Sequence, residues 1–467
     1  MLNGNAKRPN IVFLVADDLG YGDLGVYGST RIPTPNIDRI THDGVRFLDM
    51  HSPAAVCTPS RYGLLTGRYC WRTWLTQSVL GGFGAPLIQP GEATLPGLLR
   101  NQGYATAAVG KWHLGLDWHT KDGIPLENIR RDGWDLDGFD VDYARPFERG
   151  PLDCGFEYWY GMAGSLDMPP YCYLEDRLPV TIPSREKSPY RPQQRRGLMA
   201  EDWSDEEVDV RFQEKACELI ERFHRERPQD PFFLYVASSA PHRPCLPPVS
   251  AYGRSGAGER GDMVTVFDDM AGAIKETLER IGEVANTLFV ITSDHGARLT
   301  DIDEDSYGHE ANGNLRGQKG DIFEGGHRVP FVASWPRVIV PGTVCVEPLM
   351  LPDLAATCVE LASGAQFPGS FNDGKSFSTL LGGDNSVPPI HEAMIHHSMD
   401  GLFAVRSGPW KLVDGLGSGG FSTPARREPE PGEGRGQLYH LDDDIREQNN
   451  LYQSRPDIVE HLLSVLP

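Results

Sequence analysis

A chain of 467 residues with 39% hydrophobic and 23% charged residues has the make-up of a globular protein, long enough for one large α/β domain with a smaller appendage or for two or three average domains. The net charge of −21 argues against a nucleic-acid partner, which needs clustered Lys and Arg. No stretch approaches the roughly eighteen uncharged apolar residues of a membrane span.

Asn10 to Ala16 is a short apolar run ending in acids, the form of a buried parallel strand. Pro35 to Asp43 predicts a helix with Thr34 as N-cap and Pro35 at its first position. Cys57 to Arg68 reads as another helix, with Pro59 in the first turn and Gly67 at the C-terminal cap. Cys57 would then sit at the positive end of the helix dipole, where a thiolate or another anion is favoured; it reads equally as a small buried hydrophobe. Thr94 to Gln102 is expected to be helical and Ala105 to Val109 a buried strand. Trp118 to Arg196, rich in Pro, Gly, Arg and Asp, reads as long loops decorating the sheet.

Val208 to Arg227 places Val208, Phe212, Ala216, Leu219, Ile220 and Phe223 on one helical face, and Phe232 to Ala237 follows as a strand. Met263 to Ile281 and Thr287 to Thr292 repeat the pair. Strands alternating with amphipathic helices predict an α/β fold: a large, mostly parallel sheet sandwiched by helices. A boundary is expected near residues 381–389, dividing a catalytic domain (1–384) from a C-terminal subdomain (385–467). Within the latter, Leu402 to Val405, Trp410 to Val413 and Gln437 to Leu441 predict a small antiparallel sheet, and Asp457 to Val465 a closing helix. Residues 415–436 read as a mobile loop, and the acidic runs 201–207 and 301–305 as solvated faces. The eight cysteines are too sparse for a disulfide framework, although a Cys154–Cys172 bridge stays open. Met1 to Lys7 is polar and followed by too short an apolar run for a leader. The expected compartment is therefore cytoplasmic, or periplasmic or extracellular if a leader has been trimmed.

Polar residues collect immediately after four predicted strands: Asp17 and Asp18, then Lys111 and His113, then His242, then Asp294 and His295. Ligands of doubly wound sheets bind beyond the carboxyl ends of the strands. Each feature alone also reads as a turn, a helix cap or a satisfied structural side chain; together, four strand ends delivering charge to one edge describe a site.

Cys57-Thr58-Pro59-Ser60-Arg61 followed by Leu65-Thr66-Gly67-Arg68 resembles the signature of the type I, formylglycine-dependent sulfatases of the alkaline phosphatase superfamily. The resemblance extends through Asp17-Asp18, Gly110 to Gly115, Ala240-Pro241-His242, Ser293 to Gly296, Gly317 to Gly320 and Glu324 to Pro330, in family order. It implies that Cys57 is oxidised by a formylglycine-generating enzyme and hydrated to a geminal diol that attacks a sulfate ester. It implies a divalent cation on Asp17, Asp18, Asp294 and His295, calcium by preference, with manganese or another ion open because His295 stands where many relatives carry Asn. Arg61, Lys111 and Lys319 are then the local positive charge, His113 the base, and His242 with Lys319 the groups that meet the departing alcohol. The implied substrate is a sulfated small molecule or, preferentially, a sulfated carbohydrate. A phosphonate monoester or phosphodiester hydrolase of the same superfamily is the rival reading, and a non-catalytic sulfated-glycan binder a further one. His309, Asn312, Arg316, His396 and His397 are additional candidates for the pocket.

Overall fold

The computed structural model describes residues 7–189, 191, 194–299, 307–365, 373–383 and 388–467. Its large sheet begins with β1 (Asn10–Asp17), buried at every position. Then come β2 (Val45–His51), β3 (Ala105–Lys111), β4 (Tyr158–Met162), the short β5 (Leu174–Glu175) and β6 (Leu178–Pro179), and a separate two-stranded ribbon of β7 (Arg185–Glu186) and β8 (Leu198–Met199). β9 (Phe232–Pro241), β10 (Thr287–Ser293), β11 (Arg328–Ser334), β12 (Thr343–Cys345) and β13 (Leu349–Met350) complete the sheet. The order is β12-β2-β11-β10-β1-β9-β3-β4-β5-β6, with β13 also on β2.

β10, β1, β9, β3 and β4 are mutually parallel, so their carboxyl ends share one edge. β11 runs antiparallel to both β10 and β2, which turns β2 to the same direction and brings its carboxyl end, His51, to that edge as well. α1 (Pro35–His42), α4 (Val208–Glu226) and α5 (Gly258–Arg280) pack together as one helical layer; α2 (Cys57–Thr66), α3 (Leu95–Asn101) and the helix Asp353–Ser363 form another. Both layers are built by amphipathic stripes or, for α2, by burial of all ten residues.

Residues 118–196 are not merely decoration: Tyr158–Met162 is a strand paired to β3, and Trp118, Trp159, Tyr171 and Tyr173 are buried core. Five residues flanked by irregular chain offer too little periodicity to reveal such a strand. Thr34 does not cap α1 through its side chain; its hydroxyl donates to Asp38 instead, at 3.1 Å. Asp205, expected on a solvated face, is buried and paired with Lys187 at 2.6 Å, while residues 301–305 lie outside the described residues. Cys154 and Cys172 are free thiols. The loop 415–436 folds onto itself, Gly419 donating to the Ala425 carbonyl at 2.7 Å, and Gly420 packs against Gly320.

The C-terminal sheet is antiparallel, β14 (Met394–His397), β15 (Phe403–Ser407), β16 (Trp410–Val413) and β17 (Gln437–His440) in that order. Side chains alternate across it: Val405, Leu412 and Leu438 meet the helix Pro456–Leu463, while Ala404, Val413 and Tyr439 pack on Ile322 and Phe323. The expected boundary at 384–385 falls outside the described residues. Among the described residues, no helix is long and apolar enough to cross a membrane.

Candidate active site

β1 ends in Asp17, fully buried, and breaks register with β9 there. Asp18 follows with φ of 68°, a left-handed backbone uncommon for Asp and typical of functional turns. Its shape is held from outside the pocket, because Arg260 donates to the Asp18 carbonyl at 2.9 Å and pairs with Asp23 at 2.6 Å. Sequence reading passed over Arg260, a lone arginine in a helical run.

Cys57 opens α2 after an extended Val56. Its Sγ lies 3.6 Å from Asp17 Oδ1 and 3.2 Å from His295 Nε2. Burial pushes the thiol up, but Lys111 and Lys319 overcome it and bring Cys57 down to about 6. Arg61, one turn further along the helix, pairs with Asp294 at 2.9 Å and faces Asp17 at 3.6 Å. Lys111, the last residue of β3, meets Asp17 at 2.6 Å, and Lys319 meets Asp18 at 2.6 Å. Three buried carboxylates are thus matched by three cations from three other elements.

The histidines have readable tautomers. His113, with φ of 58°, directs Nε2 at the Leu80 carbonyl, 2.7 Å away. A carbonyl only accepts, so Nε2 carries the hydrogen and Nδ1, which has no protein partner, keeps its lone pair. Burial, then Lys111, holds His113 well below the ordinary histidine range. His242 gives its Nδ1 hydrogen to the Arg243 carbonyl at 2.7 Å and turns Nε2 toward Asp18, 3.9 Å away. His295 donates from Nδ1 to the Gly296 carbonyl at 3.0 Å; its Nε2 faces Asp18 at 3.5 Å and Asp294 at 3.4 Å.

Ligand atoms of Asp17, Asp18, Cys57 and His295 all lie within 4.8 Å of one another, with Asp294 adjoining. Hard carboxylate oxygens and an imidazole fixed by a backbone carbonyl are a donor set that could hold a divalent cation. All ten residues predicted from the sequence therefore meet at one sheet edge. The additional candidates do not join them. His309 binds Asp23 at 2.7 Å, and Arg316 binds the Tyr439 hydroxyl at 3.1 Å. His396 stacks on His327 with centroids 4.1 Å apart, and His397 donates from Nδ1 to the Ser398 carbonyl at 3.1 Å. Asn312 acts indirectly, tying the Ala297 backbone at 2.8 Å and the Gly317 carbonyl at 3.2 Å into one turn.

A sulfatase family model matches residues 9–365. The chain belongs to the sulfatase family. It is a sulfuric ester hydrolase built on the alkaline-phosphatase-like fold. This sulfatase is 29% identical to an N-acetylgalactosamine-6-O-sulfatase of Bacteroides thetaiotaomicron, over 99% of this chain and 93% of that protein. It is 35% identical to arylsulfatase A of Bos taurus, over 87% of this chain and 75% of that protein. A solved structure from work on the metabolism of multiple glycosaminoglycans by Bacteroides thetaiotaomicron superposes with a TM-score of 0.82 at 28% identity, covering 98% of each chain. The phosphonate monoester hydrolase of Agrobacterium radiobacter shares the fold, with a TM-score of 0.60 at 19% identity over 98% of this chain and 95% of that one.

Proposed function

We propose that this sulfatase removes sulfate from sulfated carbohydrates, using residue 57 as formylglycine and a divalent cation, calcium by preference, on Asp17, Asp18, Asp294 and His295. The observation that carries the reading is the placement of Cys57 at the head of α2, within 3.6 Å of Asp17 and 3.2 Å of His295. Hydrated formylglycine supplies two hydroxyls, one for attack on sulfur and one whose proton loss releases sulfate. A divalent cation held by Asp17, Asp18, Asp294 and His295 would supply Lewis acidity to the nucleophile and the sulfate group. Arg61, Lys111 and Lys319 supply the positive field an acidic protein otherwise lacks. His113 takes a proton at Nδ1, and His242 Nε2 faces the position of the departing alcohol.

Burial bears on the modification. Cys57, Thr58, Pro59, Ser60 and Arg61 are all buried in folded α2, so a formylglycine-generating enzyme has to read them before the chain folds. The carbohydrate substrate is supported by the relative named N-acetylgalactosamine-6-O-sulfatase, whose match extends over nearly all of both chains, the C-terminal sheet included.

The test combines peptide mass at residue 57 with initial rates on a sulfated monosaccharide, an aryl sulfate, a phosphate diester and a phosphonate ester. The expected result is an aldehyde at 57 and sulfate release that stops on chelation and returns with calcium. A thiol at 57 in fully active protein would sink the formylglycine reading. A hundredfold preference for the phosphate diester or phosphonate would replace the sulfatase reaction as the main activity, and recovery with manganese alone would change the metal.

A further inference from the structure

Beside the cation site lies a second charged cluster that the proposed chemistry does not use. Arg243 directly follows His242, and Arg298 lies three residues beyond His295, so both extend from strand ends that already deliver site residues. Arg195 comes from the segment after β4, where its backbone N–H donates to the Asp167 carbonyl at 2.9 Å. The Asp167 carboxylate, 3% exposed, is bound on one oxygen by Arg243 at 3.2 Å, while its Oδ1 has no partner.

The other two guanidiniums are set on aromatic faces. Arg195 stacks on Trp134 at 3.7 Å and Arg298 on Phe421 at 4.2 Å. Stacking holds a guanidinium plane while leaving its N–H edge free for a bidentate acceptor. Among the described residues, no carboxylate lies within ion-pair distance of Arg195 or Arg298; Asp135, the next acid toward Arg195, is paired with Arg130 at 2.9 Å. Burial lowers both arginines, and the charge of Arg243 lowers both further, so Arg243 stands between them close enough to repel each. Burial pushes Asp167 up, but His242, Arg243, Lys319 and Arg195 together bring it below its ordinary value, tying the cluster to the catalytic edge. Three guanidiniums around one carboxylate leave a surplus of positive charge in a protein of net charge −21. The sulfate being removed already has Arg61, Lys111 and Lys319.

We propose that Arg195, Arg243 and Arg298 form a subsite for a second anionic group on the substrate, a carboxylate or a further sulfate next to the ester being cleaved. The substrate class is thereby a polyanionic saccharide rather than a singly sulfated neutral sugar or an aryl sulfate. This inference rests on the sulfated-carbohydrate reading above.

The experiment compares three substrates sharing one scissile sulfate: a monosulfated neutral sugar, a disulfated sugar, and a sulfated disaccharide carrying a uronate carboxylate. Each is run with the native enzyme and with Arg195→Gln and Arg298→Gln. Expected is a higher kcat/KM for at least one dianionic substrate over the neutral one, with each variant shrinking that ratio about tenfold to a hundredfold, mostly through KM, the scale of a charge-assisted contact. A gain for the disulfated sugar or for the uronate identifies which anion the subsite takes. Calorimetric binding of the same ligands to Cys57→Ala, with and without the arginine changes, gives a readout independent of turnover. Should native enzyme hydrolyse no sugar sulfate while Cys57→Ala still prefers the dianionic ligands in an arginine-dependent way, the reaction assignment fails and the subsite stands. Equal affinity for all ligands, or equal losses on neutral and dianionic substrates in the variants, overturns the subsite.

Discussion

Arg61 and Cys57 share a face of α2, one turn apart, and that spacing links the proposed nucleophile to the carboxylates proposed to hold the cation. The Arg61 guanidinium meets Asp294 through Nε at 3.0 Å and Nη2 at 2.9 Å, with no solvent access. Burial works against the charged form, yet Asp294 and the other acids around it hold Arg61 well above the ordinary arginine range. Removing one partner of such a pair strands a buried charge. Arg61→Ala is therefore expected to lose roughly 3–5 kcal/mol of stability, besides its loss of sulfate release. Urea unfolding of metal-free protein measures this; a change under about 0.5 kcal/mol would mean that Asp294 is satisfied without Arg61. At this scale the sequence was most informative. Asp17, Lys111, His242 and Asp294 stood out together, because charge directly after four separate apolar runs is hard to explain by packing. His309 and Arg316 look no different in sequence, and only the paths of their loops send them to Asp23 and Tyr439.

Elements decide how closely those residues converge. β3 and β9 approach so tightly at Gly110 that an added Cβ would lie 1.9 Å from the Ala237 carbonyl oxygen, and Gly110 has φ of 102°. Neither feature tolerates a side chain. Gly110→Ala should destabilise by about 1–3 kcal/mol or more and move Lys111, the next residue, away from Asp17. The expected signature is a lower urea midpoint together with reduced kcat at unchanged metal content; wild-type kcat in the variant would show that Lys111 is positioned from elsewhere. β1, β9 and β10 were readable because continuous apolar runs between turn residues are a local signal. β2 escaped notice because Val-Arg-Phe-Leu-Asp-Met-His mixes charge into the strand, and the cations that neutralise Asp49, Arg328 and Arg406, come from distant segments.

Across the molecule, the small sheet is joined to the large one by a buried ionic seam. Lys411 of β16 reaches Glu324 at 3.0 Å, Glu447 at 2.8 Å and His327 Nε2 at 3.0 Å, with none of its side chain exposed. An ammonium only donates, so His327 Nε2 accepts and its Nδ1 hydrogen points to His51 Nδ1, 3.0 Å away. His51 then donates from Nε2 to Asp49 at 2.6 Å, closing a chain that runs from one sheet to the other. Lys411→Ala leaves Glu447 buried without a cation and facing Glu324, which keeps only Arg328 at 2.8 Å, and a loss of roughly 3–5 kcal/mol is expected. Hydrogen exchange is expected to show β14 to β17 opening ahead of the large sheet. Uniform exchange across both sheets would mean that the apolar contacts of Ile322 and Phe323 hold them together without the seam.

Local sequence alone determined the alternation of buried strands and amphipathic helices, the helix start at Cys57 and the charges at the strand ends, because each depends on neighbours a few residues away. Tertiary structure decided the rest. It brought β2 into the parallel set through β11, put Arg260 behind Asp18, and set Arg243 on the Asp167 carboxylate with the Arg195 backbone on the Asp167 carbonyl and Arg298 nearby. Those arrangements pair residues tens to hundreds of positions apart, and burial makes each charge depend on a partner that no local pattern names.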